Sequence, residues 1–183
     1  MGRFIREQLV REGVDTSYVK TDPDRLTALV ILGIRDGERF PLVFYREDCA
    51  DMAIEAADMD ADFIASARAV VVTGTHFSTD RVAGASFTAM KMASQSDRLV
   101  AFDIDYRPSL WALGGHDDGE SRFAESERVT AHLQTVLPYC DLIVGTEEEW
   151  HIAGGTTDTI AALQAARAIT CLLYTSDAAD EER

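Results

Sequence analysis

Apolar residues at Phe4, Ile5, Leu9 and Val10 fall on one face of a helix over Gly2 to Glu12, with Gly13 placed to stop it. After the polar turn Thr21-Asp22-Pro23-Asp24, the run Leu26 to Ile34 is apolar and β-branched enough for a strand. Arg35-Asp36-Gly37-Glu38 carries an Asp-Gly hairpin signal, and Arg39 to Tyr45 is the partner strand. From Asp60 the pattern alternates. Helices are predicted over Asp60–Ala67, Asp80–Ser94, Glu120–Val136, Thr146–Ala153 and Asp158–Ile169. Short continuous apolar strands are predicted at Ala69–Thr73, Leu99–Asp103 and Asp141–Val144.

Strands separated by helices at this spacing imply βαβ units, a parallel sheet and helices covering it. A helix already under way at residue 1 suggests a chain that has lost its true beginning. Residues 171–183 (CLLYTSDAADEER) break the rhythm: a strand is due after Ile169, but a few apolar residues give way to an acidic, alanine-rich end. That stretch reads as translated sequencing-adapter read-through, a non-native tail, and is kept out of the fold. Residues 1–170 then form the central part of one domain.

Composition narrows the function. With 17 Lys+Arg against 32 Asp+Glu, the net charge of −15 argues against nucleic acid as a partner, since that binding needs a basic surface. It leaves room for a small anion, which a local cluster of donors can hold. The longest apolar run, Leu26 to Ile34, is far short of the roughly 20 residues of a membrane helix. The charged start MGRFIREQLV is no signal peptide, so no membrane partner and a cytoplasmic location are expected. Cys49, Cys140 and Cys171 are odd in number and widely spaced, against a disulfide framework or a structural zinc site. The histidines, 76, 116, 132 and 151, are taken as structural or surface groups.

In open α/β sheets, ligands sit outside the carboxyl ends of the strands. Three segments follow predicted parallel strands: Gly74-Thr75-His76, Asp103-Ile104-Asp105-Tyr106-Arg107 and Gly145-Thr146-Glu147-Glu148-Glu149. Asp103, Asp105 and Arg107 alternate, so they would share one face if the strand ran on through them. Arg107 offers a planar fork for a carboxylate or for sugar hydroxyls, although an Asp–Arg pair can equally just tie down a loop. Thr146 with Glu149 is a capping box, which by itself explains both residues; the alternative is a glutamate that organises hydrated Mg²⁺. Tyr45-Arg46 ends the hairpin, as an edge charge or as a reach over a ligand from a flap. No phosphate-binding P-loop, dinucleotide fingerprint, nucleophile elbow or zinc-protease helix is present.

At these residues the sequence resembles the ribokinase-like (PfkB) family of carbohydrate kinases. TALVILGIRDGERFPLVFYRE (27–47), VVVTGTHFS (70–78), DIDYRPSLW (103–111) and VGTEEEWHIAGG (144–155) carry the likeness, which spans nearly all of residues 1–170. The resemblance implies a three-layer α/β/α sandwich around a mostly parallel sheet, with a small β-hairpin lid at about residues 26–46. It implies ATP and Mg²⁺ as cofactors and a small-molecule sugar acid as substrate. Tyr45, Arg46, Thr75, Asp103, Asp105 and Arg107 become the implied substrate contacts, and Glu149 the nucleotide-side residue that meets Mg²⁺ through water. Where the family has Asn-x-x-Glu this chain has Thr146-x-x-Glu149, so no role carries over to Thr146. The family's N-terminal Gly-Gly motif should precede residue 1, and its Gly-Ala-Gly-Asp segment, source of the catalytic base, should follow residue 170. Neither is in the chain, so no catalytic residue is assigned and no turnover is expected from it alone. A kinase for another sugar, or a non-catalytic binding module of the same fold, is the alternative. The exposed lid invites pairing of two lids across a homodimer.

Overall fold

The computed structural model describes residues 1–34, 42–46, 48–113, 124–170 and 173–175. The predicted Asp-Gly turn, the Gly114-Gly115 pair and residues 176–183 lie outside them. Helix α1 (Gly2–Arg11) opens the chain and ends at Gly13, whose φ of +79° is the left-handed stop that glycine adopts without strain. Strands β1 (Leu29–Leu32) and β2 (Leu42–Tyr45) pair antiparallel, Leu29 opposite Tyr45. Strand β1 is shorter than the run Leu26 to Ile34 that predicted it, and residues 39–41 of the expected partner strand lie outside the described residues. Helix α2 (Ala61–Ser66) is capped by Asp60, whose carboxylate accepts from Phe63 N at 2.7 Å.

The rest alternates as expected: β3 (Ala69–Thr73), α3 (Asp80–Gln95), β4 (Leu99–Asp103), α4 (Glu127–Val136), β5 (Leu142–Gly145), α5 (Glu147–Gly154), α6 (Thr159–Arg167) and β6 (Leu173–Thr175). The four strands form a parallel sheet in the order β3-β4-β5-β6. Strand β6 lies inside the stretch set apart in the sequence. Helix α4 begins at Glu127, because the Ser126 hydroxyl caps it by accepting from Val129 N; the predicted start at Glu120 lies outside the described residues.

One apolar cluster joins the helices to the sheet. Helix α3 supplies Ala83, Ala89, Met90 and Ala93, and α4 supplies Val129, Leu133 and Val136, each set at the spacing of one helical face. From the sheet come Val72, Val100, Phe102 and Ile143, with Phe102 and Ile143 fully buried. Alternate residues point the other way and stay open: Val71 is 69% exposed and Leu99 60%. Among the described residues this period-two alternation marks one packed face.

Register brings the strand ends level. Thr73 pairs with Asp103 and Asp103 with Val144, so all three loops leave the sheet at one rim. Two glycines let those loops close over Ile104. A Cβ on Gly74 would lie 2.0 Å from the Ile104 carbonyl oxygen, and one on Gly145 would lie 2.7 Å from Ile104 Cδ1.

Candidate active site

At that rim lies a cavity of about 240 Å³, lined by Asp103, Asp105, Arg107, Val144, Gly145, Thr146 and Glu149. The three acids and the arginine do converge, but strand alternation is not the cause. Strand β4 stops at Asp103, and Asp105 takes a φ of +33° that turns the chain. Asp and Asn are the side chains that tolerate that region best. The turn is pinned from three sides. Ile104 N donates to Val144 O at 2.9 Å, Tyr106 N donates to Glu149 Oε1 at 3.0 Å, and Trp111, 6% exposed, anchors the far end.

Glu149 is the centre of the arrangement. It is 6% exposed, and its second oxygen accepts from Thr146 N at 2.9 Å, the return arm of the predicted capping box. One side chain therefore joins the end of β4 to the start of α5. Burial raises its pKa, opposed by the two backbone N–H groups and by Arg107. Asp103 is raised as well, by its partial burial and then by the Asp105 carboxylate beside it.

Arg107 is paired within the chain. Its Nη2 lies 2.8 Å from Asp105 Oδ1, its Nη1 lies 3.5 Å from Glu149 Oε1, and Nη1 also donates to the Tyr106 carbonyl at 3.0 Å. The loop tie and the cavity-facing fork are thus the same side chain, 34% exposed. Held on both sides, the guanidinium keeps its direction before any ligand arrives.

The remaining predicted residues separate. Thr75 is 3% exposed and its hydroxyl shares a 2.8 Å hydrogen bond with Thr73, so it lies beneath the rim rather than on the cavity wall. Tyr45 is 57% exposed at the end of the hairpin. Arg46 turns from the hairpin toward Asp51. His76, expected to be a structural or surface group, feels charges of both groups. Burial lowers its pKa, with Arg46 pushing the same way and Asp51 and Asp105 opposing. Its position just after Gly74-Thr75 was the available signal. For Asp51 there was none.

A hydrated Mg²⁺ fits these residues better than a directly ligated one. Both Glu149 oxygens already accept backbone N–H groups, and among the described residues no three His, Cys, Asp or Glu side chains are gathered for a metal. Water-mediated contact from Glu149, Asp103 and Asp105 is compatible with an ion that keeps its hydration shell. Arg107 is the only cation on the described cavity wall, enough for one anionic group.

Residues 1–178 match the pfkB family of carbohydrate kinases. The chain is 32% identical over 151 residues to the 5-dehydro-2-deoxygluconokinase of Geobacillus kaustophilus, covering 82% of this chain and 42% of that protein. To the 5-dehydro-2-deoxygluconokinase of Bacillus subtilis it is 28% identical over 157 residues, 85% of this chain and 45% of that one. It spans less than half the length of these curated relatives. Among solved structures, a PfkB protein from Polaromonas superposes with a TM-score of 0.79 at 22% identity, covering 96% of this chain and 57% of that one. The fructokinase of Xylella fastidiosa gives 0.80 at 21% identity, with 97% and 54% covered. At these identities the structures speak for the fold.

Proposed function

The chain belongs to the pfkB family of carbohydrate kinases, and on that premise we propose that it carries the acid-binding half of a sugar-acid kinase. The proposed substrate is 5-dehydro-2-deoxygluconate, phosphorylated by ATP on its primary hydroxyl in the breakdown of inositol. The names of the relatives support the substrate, and the observation that carries it is the braced guanidinium of Arg107 facing the rim cavity.

In this reading Arg107 meets the substrate carboxylate through a charge-assisted, bidentate contact, and its ties to Asp105 and Glu149 remove most of the ordering cost. Asp103 and Asp105 accept hydrogen bonds from substrate hydroxyls. Glu149 holds the turn rigid through Tyr106 N and, on its cavity side, orders water of a hydrated Mg²⁺. ATP supplies the phosphoryl group, and the cation offsets its charge. The chain's own share is positioning, the larger part of phosphoryl-transfer catalysis.

The test is calorimetric titration of the purified chain with 5-dehydro-2-deoxygluconate. Arg107→Ala should weaken binding about tenfold or more, from a charge-assisted contact of roughly 1.5–3 kcal/mol. Arg107→Lys keeps the charge, loses the fork and should fall between. A folded Arg107→Ala variant that binds like the parent would reduce the arginine to a loop tie.

A further inference from the structure

Tyr106 stands between Asp105 and Arg107, and each of its polar groups is bonded. Its N–H donates to Glu149 Oε1 at 3.0 Å, and its carbonyl accepts from Arg107 Nη1 at 3.0 Å. Its hydroxyl donates to the Ala124 carbonyl at 2.7 Å. The first two bonds belong to the rim site; the third leads away from it. The side chain is 1% exposed within the apolar cluster. Burial pushes the phenol up to about 12, so it stays protonated, and a donor, at neutral pH. A phenylalanine would fill this space without the cost of burying a polar group, which only the Ala124 bond offsets.

That bond ties the Arg107 segment to the start of α4. Ala124 lies two residues before Ser126, the cap of that helix. Arg128, in its first turn, donates from Nη2 to the Trp111 carbonyl at 2.7 Å. The segment is thus held on both sides of Arg107, at Tyr106 and at Trp111. Between them runs the 3-10 turn Pro108–Trp111, with Arg107 at its N-cap. Asp105 and Ala112 flank the segment at φ +33° and +57°, and neither is glycine. Such residues persist where their surroundings hold them in place. Of the three groups that hold the Arg107 guanidinium, one is the Tyr106 carbonyl, and another, Glu149, is bonded to the Tyr106 N–H.

We propose that Tyr106 is a positioning residue of the sugar-acid site: its hydroxyl, bound to the Ala124 carbonyl, fixes the backbone from which Arg107 faces the cavity. This rests on the sugar-acid reading. Tyr106 does not line the cavity and acts through Arg107. Without the hydroxyl bond the guanidinium is less ordered before the acid arrives, and binding bears the cost of ordering it.

The experiment is calorimetric titration of the purified chain with 5-dehydro-2-deoxygluconate, comparing the parent, Tyr106→Phe, Arg107→Ala and the double variant, with folding checked by circular dichroism. Tyr106→Phe keeps the ring and should weaken binding about fivefold, within the range of one lost hydrogen bond. In the Arg107→Ala background the same change should have no effect on affinity, because the group it positions is gone. Should Tyr106→Phe lose the fold, Arg128→Met, which frees the Trp111 carbonyl at the other end of the segment, carries the same comparison. Affinity within twofold of the parent overturns the proposal, since a purely structural hydroxyl lowers stability and leaves the affinity of the folded chain alone. So does a loss of equal size in both backgrounds, because Tyr106 would then act on something other than Arg107. In either case the sugar-acid reading stands if Arg107→Ala still weakens binding. A parent chain that does not bind the acid overturns that reading, and this inference with it.

Discussion

Strands β1 and β4 are built from the same kind of residue and meet opposite fates. In β4 (LVAFD), Val100 is 1% exposed and Phe102 fully buried, pressed between β3, β5 and helix α3. In β1 (LVIL), all four side chains are between 39% and 57% exposed. Helix α1 resembles β1 in this: its apolar face is evident in the sequence, yet Phe4 is 62% and Val10 58% exposed. Apolar content measures what a segment could bury; a partner surface decides what it does bury.

The largest test of that difference is a paired truncation. Phe102→Ala should cost about 3–5 kcal/mol in urea unfolding, since the hole cannot collapse inside a packed cluster. Ile31→Ala on the hairpin should change stability by no more than about 0.5 kcal/mol. Equal costs would mean that the hairpin face is covered in solution, by a second copy or by another surface.

A second pair probes how tightly the packed region is fitted. Gly74→Ala places a methyl group against the Ile104 carbonyl, and we expect a loss of about 1–3 kcal/mol together with weakened ligand binding at the rim. Gly84→Ala, within α3, meets nothing within 4 Å and should gain about 0.5–1 kcal/mol from helix propensity. A harmless Gly74→Ala would show that the rim is more compliant than its contacts imply.

The smallest effect, but the one that separates the regions by sign, is the response to pH. Near the N-terminal arm, the backbone N–H of Asp24 holds Asp22 below the usual carboxylate range, and Lys20 does the same for Asp58. Groups depressed in the folded state add stability above their unfolded pKa and lose it as pH falls through the folded one. Asp103 and Glu149 are raised, so the folded state holds their protons more tightly. Their contribution is greatest when protonated and is lost as pH rises from the ordinary carboxylate range through the raised value. Carbon-detected carboxyl titration should show the two sets moving apart. Glu149→Gln should flatten the fall on the upper side and Asp58→Asn the fall on the acid side. A Glu149 that titrates at or below its ordinary value would mean that Arg107 and the backbone donors outweigh burial.

Much of this molecule follows from local pattern. The order of helices and strands, the Thr146–Glu149 capping pair and the glycine stop at Gly13 are all set within a few residues of themselves, through hydrogen-bond geometry and side-chain period. The converging residues Asp103, Asp105, Arg107 and Glu149 were legible for the same reason: each lies at or just past the end of a strand. The manner of their convergence was not. The turn at Asp105 depends on Glu149, 43 positions past Tyr106, whose N–H it accepts. Thr75 lies beneath the rim because it meets Thr73 there, and the Arg46–Asp51 pair shows itself only once the chain after the hairpin has turned back. Sequence periodicity reports the backbone's local choices, while burial and charge pairing depend on contacts between distant segments, which only the tertiary structure decides.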